Sequence, residues 1–231
     1  MSILGEIVEA VILAGGLGER LGPLTQDVPK ILVKVRGVPI LDRQIAWLKK
    51  HGVRRVVISC GHLSERIDSY VKSNDLGVKI DLSVEDKKLG TGGALKLALK
   101  RTLNDEFFVV NGDIISNVDL TRVEGYHRVK GKTATIVVVP FRSPYGIVKF
   151  SDGVLEEFKE KPTLPYWVNA GIYLICRRIE SHLPIKGSLE ADVFSKMGGD
   201  ISVYMSEDPW MPIDTIKDLR EAEAFLSKAG I

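Results

Sequence analysis

Residues 13–30 read LAGGLGERLGPLTQDVPK, an apolar run that opens into closely spaced glycines and carries Arg20 and Lys30. Glycine tolerates positive φ and lets a ligand approach the backbone. Successive backbone N–H groups in such a loop can surround a phosphate chain, while Arg20 and Lys30 supply charge to neutralise it. The stretch is not a Walker A loop, because no Gly-Lys-Ser or Gly-Lys-Thr closes it. Nor is it the dinucleotide fingerprint, because Leu21 stands where the third glycine belongs. Alone it reads equally well as a glycine-rich turn with surface charges.

Asp113 is the second candidate. It follows an apolar run ending in Asn111, at the carboxyl end of an expected strand, where open α/β sheets bind ligands. Asn111, Gly112 and Asp113 would also make an ordinary turn. His51, His62, His127 and His182 are scattered without ligand spacing and are read as structural or surface residues. Cys60 and Cys176 are too far apart for a zinc or redox motif and read as reduced core thiols, which points to a cytoplasmic protein.

These residues need a scaffold. The chain has 231 residues, 45% of them hydrophobic, enough for a single α/β domain with a sizeable core. Its 32 Lys and Arg against 30 Asp and Glu leave no overall field to recruit nucleic acid or an anionic membrane. The run from Val8 to Ala14 is short and carries Glu9, so it is expected to be a buried strand rather than a signal peptide or membrane span.

Apolar runs at Ile7 to Ala14, Arg54 to Ser59, Val78 to Val84, Phe107 to Asn111, Ala134 to Pro140 and Tyr166 to Cys176 predict strands covered on both faces. Helical faces recur between them at Leu41, Ile45 and Leu48, at Ile67 and Val71, and at Leu95, Ala98 and Leu99. This is the rhythm of βαβ units around a mostly parallel sheet. Gly146 to Phe150 and Val154 to Phe158 flank a turn at Ser151, Asp152 and Gly153, and suggest an inserted β-rich lobe. A last helix is expected from Thr215 to Lys228, with no linker, repeat or appended domain.

The pattern resembles the sugar-phosphate nucleotidyltransferases, or nucleotide-sugar pyrophosphorylases, over nearly the whole chain. The resemblance rests on Leu13, Ala14, Gly15, Gly16, Gly18, Arg20, Leu21, Pro23, Leu24, Thr25, Pro29 and Lys30, then Gly37, Pro39 and Ile40. Downstream blocks are LGTGGA (89–94), VNGD (110–113), YGIV (145–148), EKP (160–162), NAGIY (169–173) and SLEADVF (188–194).

The resemblance implies a Rossmann-like, mostly parallel sheet sandwiched by helices, the glycosyltransferase-A-like nucleotide-diphospho-sugar transferase fold. It implies one domain over 1–231, with a nucleotide-binding part of about 1–131 and a sugar-binding part of about 132–231. The implied reaction joins a nucleoside triphosphate to a sugar 1-phosphate and releases pyrophosphate. Leu13, Ala14, Gly15, Gly16, Glu85, Gly90 and Thr91 would hold the nucleotide, and Arg20 and Lys30 the triphosphate. Gly146, Glu160, Lys161 and Asn169 would hold the sugar phosphate, with Lys161 on its phosphate. Asp113 would bind magnesium. The LGTGGA block looks most like guanylyltransferases acting on mannose 1-phosphate or heptose 1-phosphate; uridylyl or thymidylyl transfer to glucose-type or amino-sugar phosphates stays open. Many relatives associate, so a homo-oligomer is compatible, with no nucleic acid or membrane partner.

Two positions depart from the family pattern. Glu19 replaces the usual threonine or serine before the arginine, and an acid beside phosphates is unfavourable unless it points away. In Trp210 to Thr215 (WMPIDT), Pro212 occupies the usual metal-ligand position and Asp214 follows two residues later. An extended chain points residues two apart to one side, so Asp214 can substitute as ligand; it would serve equally as N-cap of the last helix. The missing aspartate also makes a non-catalytic nucleotide-sugar sensor conceivable. A NAD-dependent oxidoreductase is disfavoured, since Cys60, Gly61 and His62, with no acid, follow the second strand.

Overall fold

A computed structural model describes residues 7–229. Strand β1 (Glu9–Leu13) leads into the glycine loop and two short 3-10 turns. There follow the hairpin of β2 (Lys34–Val35) and β3 (Val38–Pro39), then α1 (Ile40–Lys50), β4 (Arg55–Cys60), α2 (Ser64–Ser73) and β5 (Lys79–Val84). Next come α3 (Gly90–Ala98), β6 (Glu106–Asn111), β7 (Ile114–Ser116) and α4 (Leu120–Lys130). Then come β8 (Ala134–Arg142), β9 (Ile147–Ser151), β10 (Val154–Lys159) and β11 (Thr163–Cys176). After short helical turns, β12 (Ile201–Met205), β13 (Trp210–Pro212) and α5 (Ile216–Ala229) complete the described chain.

One seven-stranded sheet runs in the order β12-β8-β11-β6-β1-β4-β5. Its pairs are parallel except where β11 meets β6 and β8. Alternate side chains serve opposite layers, as a strand's period of two requires. Ala10 and Ile12 of β1, with Phe108 and Val110 of β6, pack under α1, α2 and α4 through Leu41, Ile45, Leu48, Ile67 and Val123. Val11, Phe107 and Val109 pack on the other side under α3 and the turns around Leu189 and Val193. A third cluster gathers Leu21, Val33, Ile40, Ile115, Ile213, Ala222 and Leu226 beneath α5. Leu21 thus anchors the glycine loop in apolar contact where a dinucleotide loop has its third glycine. Buried Glu9 pairs with Arg55 at 3.0 Å and accepts from the backbone N–H groups of Leu103 and Asn104, so an acid is tolerated inside β1.

Several elements differ from expectation. Helix α4 has no counterpart in the sequence reading because its inward residues, Leu120, Val123 and His127, are sparse and Val129 faces solvent. Its Asp119 cap, which accepts from the N–H groups of Thr121 and Arg122, marks its start. Strand β5 is an edge strand with exposed Lys79 and Val84, not covered on both faces. Strand β12, with Val203 and Met205 exposed, closes the other edge. The β9–β10 hairpin forms as expected; Asp152 and Gly153 take φ of 50° and 79°, the pair of positive values that a two-residue I′ turn needs. Among the described residues no helix is long and apolar enough to cross a membrane.

Candidate active site

The glycine loop leaves the carboxyl end of β1, where its neighbours β4 and β6 also end. Ala14 N–H donates to Ser59 at 2.7 Å, and Leu13 accepts from Gly112 N–H at 2.8 Å, so the strand ends are stitched together. Buried Thr25 holds the loop's shape, its hydroxyl donating to the carbonyls of Gly18 and Gly22. Gly15 lies against Glu85: a Cβ there would meet Glu85 Oε1 at 2.7 Å, so a larger residue would have to displace that carboxylate. Glu85 is itself buried and accepts from Leu89 N–H at 3.0 Å, which joins Gly15 to the start of α3. Gly16 faces open space and Glu19 is exposed.

Lys30 is the hub of the polar cluster. Its ammonium donates at 2.8 Å to Asp113 Oδ2 and at 2.8 Å to Asp214 Oδ1. Arg20 reaches the same Asp214 oxygen at 2.8 Å from a side chain 70% exposed, so this ion pair contributes at most about 1 kcal/mol and is easily exchanged for a ligand. A hydrogen bond and a strand pairing fix the aspartates. Ile213 N–H donates to Asp113 O at 2.7 Å, and β13 pairs antiparallel with β7, which follows Asp113 directly. Gln44, a residue the sequence reading gave no role, donates to the carbonyls of Asn111 and Ile114 and clamps the turn between them.

The helix-cap alternative for Asp214 is resolved by Asp218. Asp218 Oδ2 accepts from the N–H groups of Asp214 and Thr215, and Thr215 Oγ1 accepts from Asp218 N–H, the reciprocal pattern of a capping box. The Asp214 carboxylate is left facing Lys30.

A second network borders this cluster. Asn169 donates to the Tyr173 hydroxyl at 2.7 Å, Tyr173 donates to Glu190 Oε1 at 2.9 Å, and Glu190 Oε2 accepts from Thr91 and Ser188, each at 2.8 Å. Thr91 also accepts from Leu189 N–H. A Cβ on Gly171 would meet Asn111 Nδ2 at 2.6 Å, and the charge of Asp113 reaches the Tyr173 phenol, so this network adjoins Asp113. Burial pushes the Tyr173 phenol upward, with Glu190 adding to it. Burial also pushes the Glu190 carboxyl up, but hydrogen bonds from Thr91, Ser188, its own backbone and Tyr173 outweigh this and hold it below its ordinary value. Glu190 and Tyr173 received no role from sequence; their signal lay in the SLEADVF and NAGIY blocks. Asn169 Oδ1 accepts from Gly171 N–H, so its side chain is committed to shape as well as available at the surface.

Gly90 begins α3 with φ of 74°, and a Cβ there would strike Gly187 O at 2.5 Å. Gly146 lies against Glu160 at the base of the hairpin, Glu160 Oε2 standing 3.1 Å from where a Cβ would be. Lys161 adopts φ of 44°, a left-handed conformation that costs a non-glycine residue about 1 kcal/mol or more, and its ammonium has no ion-pair partner among the described residues. The structure therefore brings Arg20, Lys30, Asp113 and Asp214 into one cluster and sets Thr91 and Asn169 beside it. Gly146 and Glu160 lie against each other at the hairpin, with Lys161 next in the chain. Such an arrangement can hold a polyphosphate between backbone N–H groups and cations, with two carboxylates left to bind a divalent ion.

Comparison with known proteins shows which family the chain is similar to. The sequence profile described as "Nucleotidyl transferase" matches residues 9–229. The chain is 34% identical over 224 residues to the "Mannose-1-phosphate guanylyltransferase catalytic subunit beta" of Xenopus tropicalis, covering 91% of this chain and 62% of that protein. It is 36% identical over 225 residues to the "Probable mannose-1-phosphate guanylyltransferase 1" of Oryza sativa subsp. japonica, again covering 91% and 62%. The chain thus spans about three fifths of the length of these curated relatives. The crystal structure of HddC from Yersinia pseudotuberculosis complexed with GMP-PN superposes with a TM-score of 0.78 at 28% identity, covering 94% of this chain and 99% of that one.

Proposed function

The chain belongs to the nucleotidyl transferase family, and from that premise we propose that it joins GTP to mannose 1-phosphate, forming the nucleotide-diphospho-sugar and releasing pyrophosphate. The observation that carries the catalytic reading is the convergence of Asp113 and Asp214 on the Lys30 ammonium beside the glycine loop. The guanylyl and mannosyl preferences are supported by relatives named for that activity and by the HddC complex with GMP-PN.

The nucleophile arrives with the substrate. A phosphate oxygen of the sugar 1-phosphate attacks the α-phosphorus in line, one P–O bond forms, and the bond to the β-phosphate breaks as pyrophosphate leaves. The protein's work is to bring two anions together and neutralise them. The N–H groups of Gly15 and Gly16, with Arg20 and Lys30, bind the triphosphate, while the N–H of Ala14 is held by Ser59. Thr91 and Gly90, next to Glu85, hold the base and ribose end. Asn169, Gly146 and Glu160 hold the sugar, and the unpaired Lys161 takes its phosphate.

Asp113 and Asp214 fit a hard divalent cation, because both are oxygen donors already gathered around one positive charge; magnesium suits such a set. When bound it would neutralise phosphate charge and orient the reacting groups. Lys30, now shared by both carboxylates, would then be free to meet phosphate. The two unpaired, buried cysteines support a reducing, cytoplasmic setting. The exposed Phe150, Leu155 and Phe158 on the hairpin support self-association.

The test is pyrophosphate release with magnesium across four nucleoside triphosphates and a panel of mannose, heptose, glucose and amino-sugar 1-phosphates. Release that requires both GTP and mannose 1-phosphate is the expected result. Release with UTP or dTTP and a glucose-type phosphate would reassign the pair. Binding of a nucleotide sugar with no turnover would replace the enzyme with a sensor.

A further inference from the structure

We propose that Glu106, His127 and Cys176 form a second metal site, for a divalent cation of the zinc class, at the sheet end opposite Asp113. Glu106 opens β6 and Cys176 closes β11, and the two are register partners across the antiparallel pair. His127 projects onto them from the inward face of α4 and is 1% exposed. Five strand residues at about 3.3 Å each place this site roughly 17 Å from Asn111, well away from the nucleotide loop.

The three donor atoms already stand at the spacing of a metal's ligands. His127 Nε2 lies 3.3 Å from Cys176 Sγ and 3.8 Å from Glu106 Oε1, and Cys176 Sγ lies 3.6 Å from Glu106 Oε1. Tetrahedral ligands bonded at about 2.0–2.3 Å are separated by about 3.3–3.8 Å. Mixed nitrogen, sulfur and carboxylate donors favour zinc over magnesium or calcium.

A relay of hydroxyl groups on the far side of the ring is compatible with the ligating histidine tautomer. Ser202 Oγ can donate to Ala134 O at 3.4 Å, which lets the threonine proton serve its 2.7 Å bond with Thr135 Oγ1. In that arrangement Thr135 Oγ1 accepts from His127 Nδ1–H at 2.7 Å, the tautomer in which the Nε2 lone pair faces Cys176 and Glu106. A metal-bound histidine commonly has this outer partner. Burial lowers the His127 pKa, keeping the ring neutral and able to ligate. Burial, with Glu106 next, pushes the Cys176 thiol up to about 11, while neighbouring Arg178 favours the thiolate. A cation would displace the thiol proton to solvent and bind the thiolate. An open cleft of ≈ 590 Å³, lined by Glu106, Cys176, Arg177 and Arg178 among others, provides a way in and room for a water as fourth ligand.

Titration of chelator-treated protein with cobalt(II) tests the site. A thiolate-to-cobalt charge-transfer band should appear at one equivalent per chain, disappear on adding zinc(II), be absent in Cys176→Ser and persist in Cys60→Ser. Thr135→Val, which removes the outer partner of His127 together with the bond to Ser202 but no ligand, should weaken zinc affinity about 10- to 100-fold. No such band in the wild type, or an unchanged band in Cys176→Ser, would overturn the proposal, the first without relying on any variant's folding. The carboxylates of Asp113 and Asp214 give no thiolate band, so the result does not depend on transferase activity.

Discussion

Asp214 and Asp218 lie one helical turn apart and do different work, and exchanging each carboxylate for an amide separates them. Asp218 caps α5 through two backbone N–H groups, so Asp218→Asn should cost about 1 kcal/mol or less of stability, read from urea melts, with turnover nearly unchanged. Asp214 faces Lys30 and Arg20, so Asp214→Asn should lower metal-dependent pyrophosphate release about a hundredfold, roughly 3 kcal/mol of barrier, while the melt barely moves. Equal effects of the two substitutions on turnover would remove Asp214 from the site. Glu190 supports a pH prediction. Its carboxyl is held below its ordinary value, so the stability it contributes is complete above the unfolded pKa of about 4.3 and is lost as pH falls through the lower folded value. The stability gap between wild type and Glu190→Gln should therefore be widest near neutrality and close in acid; a gap that widens in acid would reverse the assigned direction.

Helix α3 starts where it does because residue 90 is glycine. Its positive φ turns the chain into the helix while Gly187 O occupies the place of a side chain, and Gly92 N–H donates to that same carbonyl. Gly90→Ala should lose about 1–3 kcal/mol of stability and weaken GTP binding, measured by urea melts and calorimetric titration. An alanine variant with wild-type stability would mean that the loop at 187 yields freely. The β7–β13 pair is the other element that builds the site, since it carries Ile213 and Asp214 across to Asp113.

Across the whole molecule, strands from both the first and the second half share one sheet: β8, β11 and β12 continue from β6 without a break. We therefore expect one cooperative unfolding transition, in which fluorescence from Trp47, Trp167 and Trp210 and far-ultraviolet circular dichroism coincide. Two separated transitions would instead mark residues of about 1–131 and 132–231 as independent units. GTP at a hundred times its Kd should stabilise the whole by about 2.7 kcal/mol.

The alternation of apolar runs and helical faces was enough to determine an α/β sheet with covering helices, since both periodicities are local. The glycine loop, Arg20, Lys30 and Asp113 stood out by residue type and short spacing, but spacing alone left ordinary turns equally open, and their proposed roles came from the family resemblance. Helix α4 was not legible, because its sparse inward face turns on His127, and β13 was too short to stand out. Tertiary structure alone decided three matters. Asp214 meets Asp113 because two short strands far apart in the chain, at 114–116 and 210–212, pair with each other. Glu190 links Thr91 to Asn169 because three distant segments converge on one carboxylate. Glu106, His127 and Cys176 gather because a strand start, a helix face and a strand end coincide. Each depends on the long-range register of strands and helices, which no local spacing encodes.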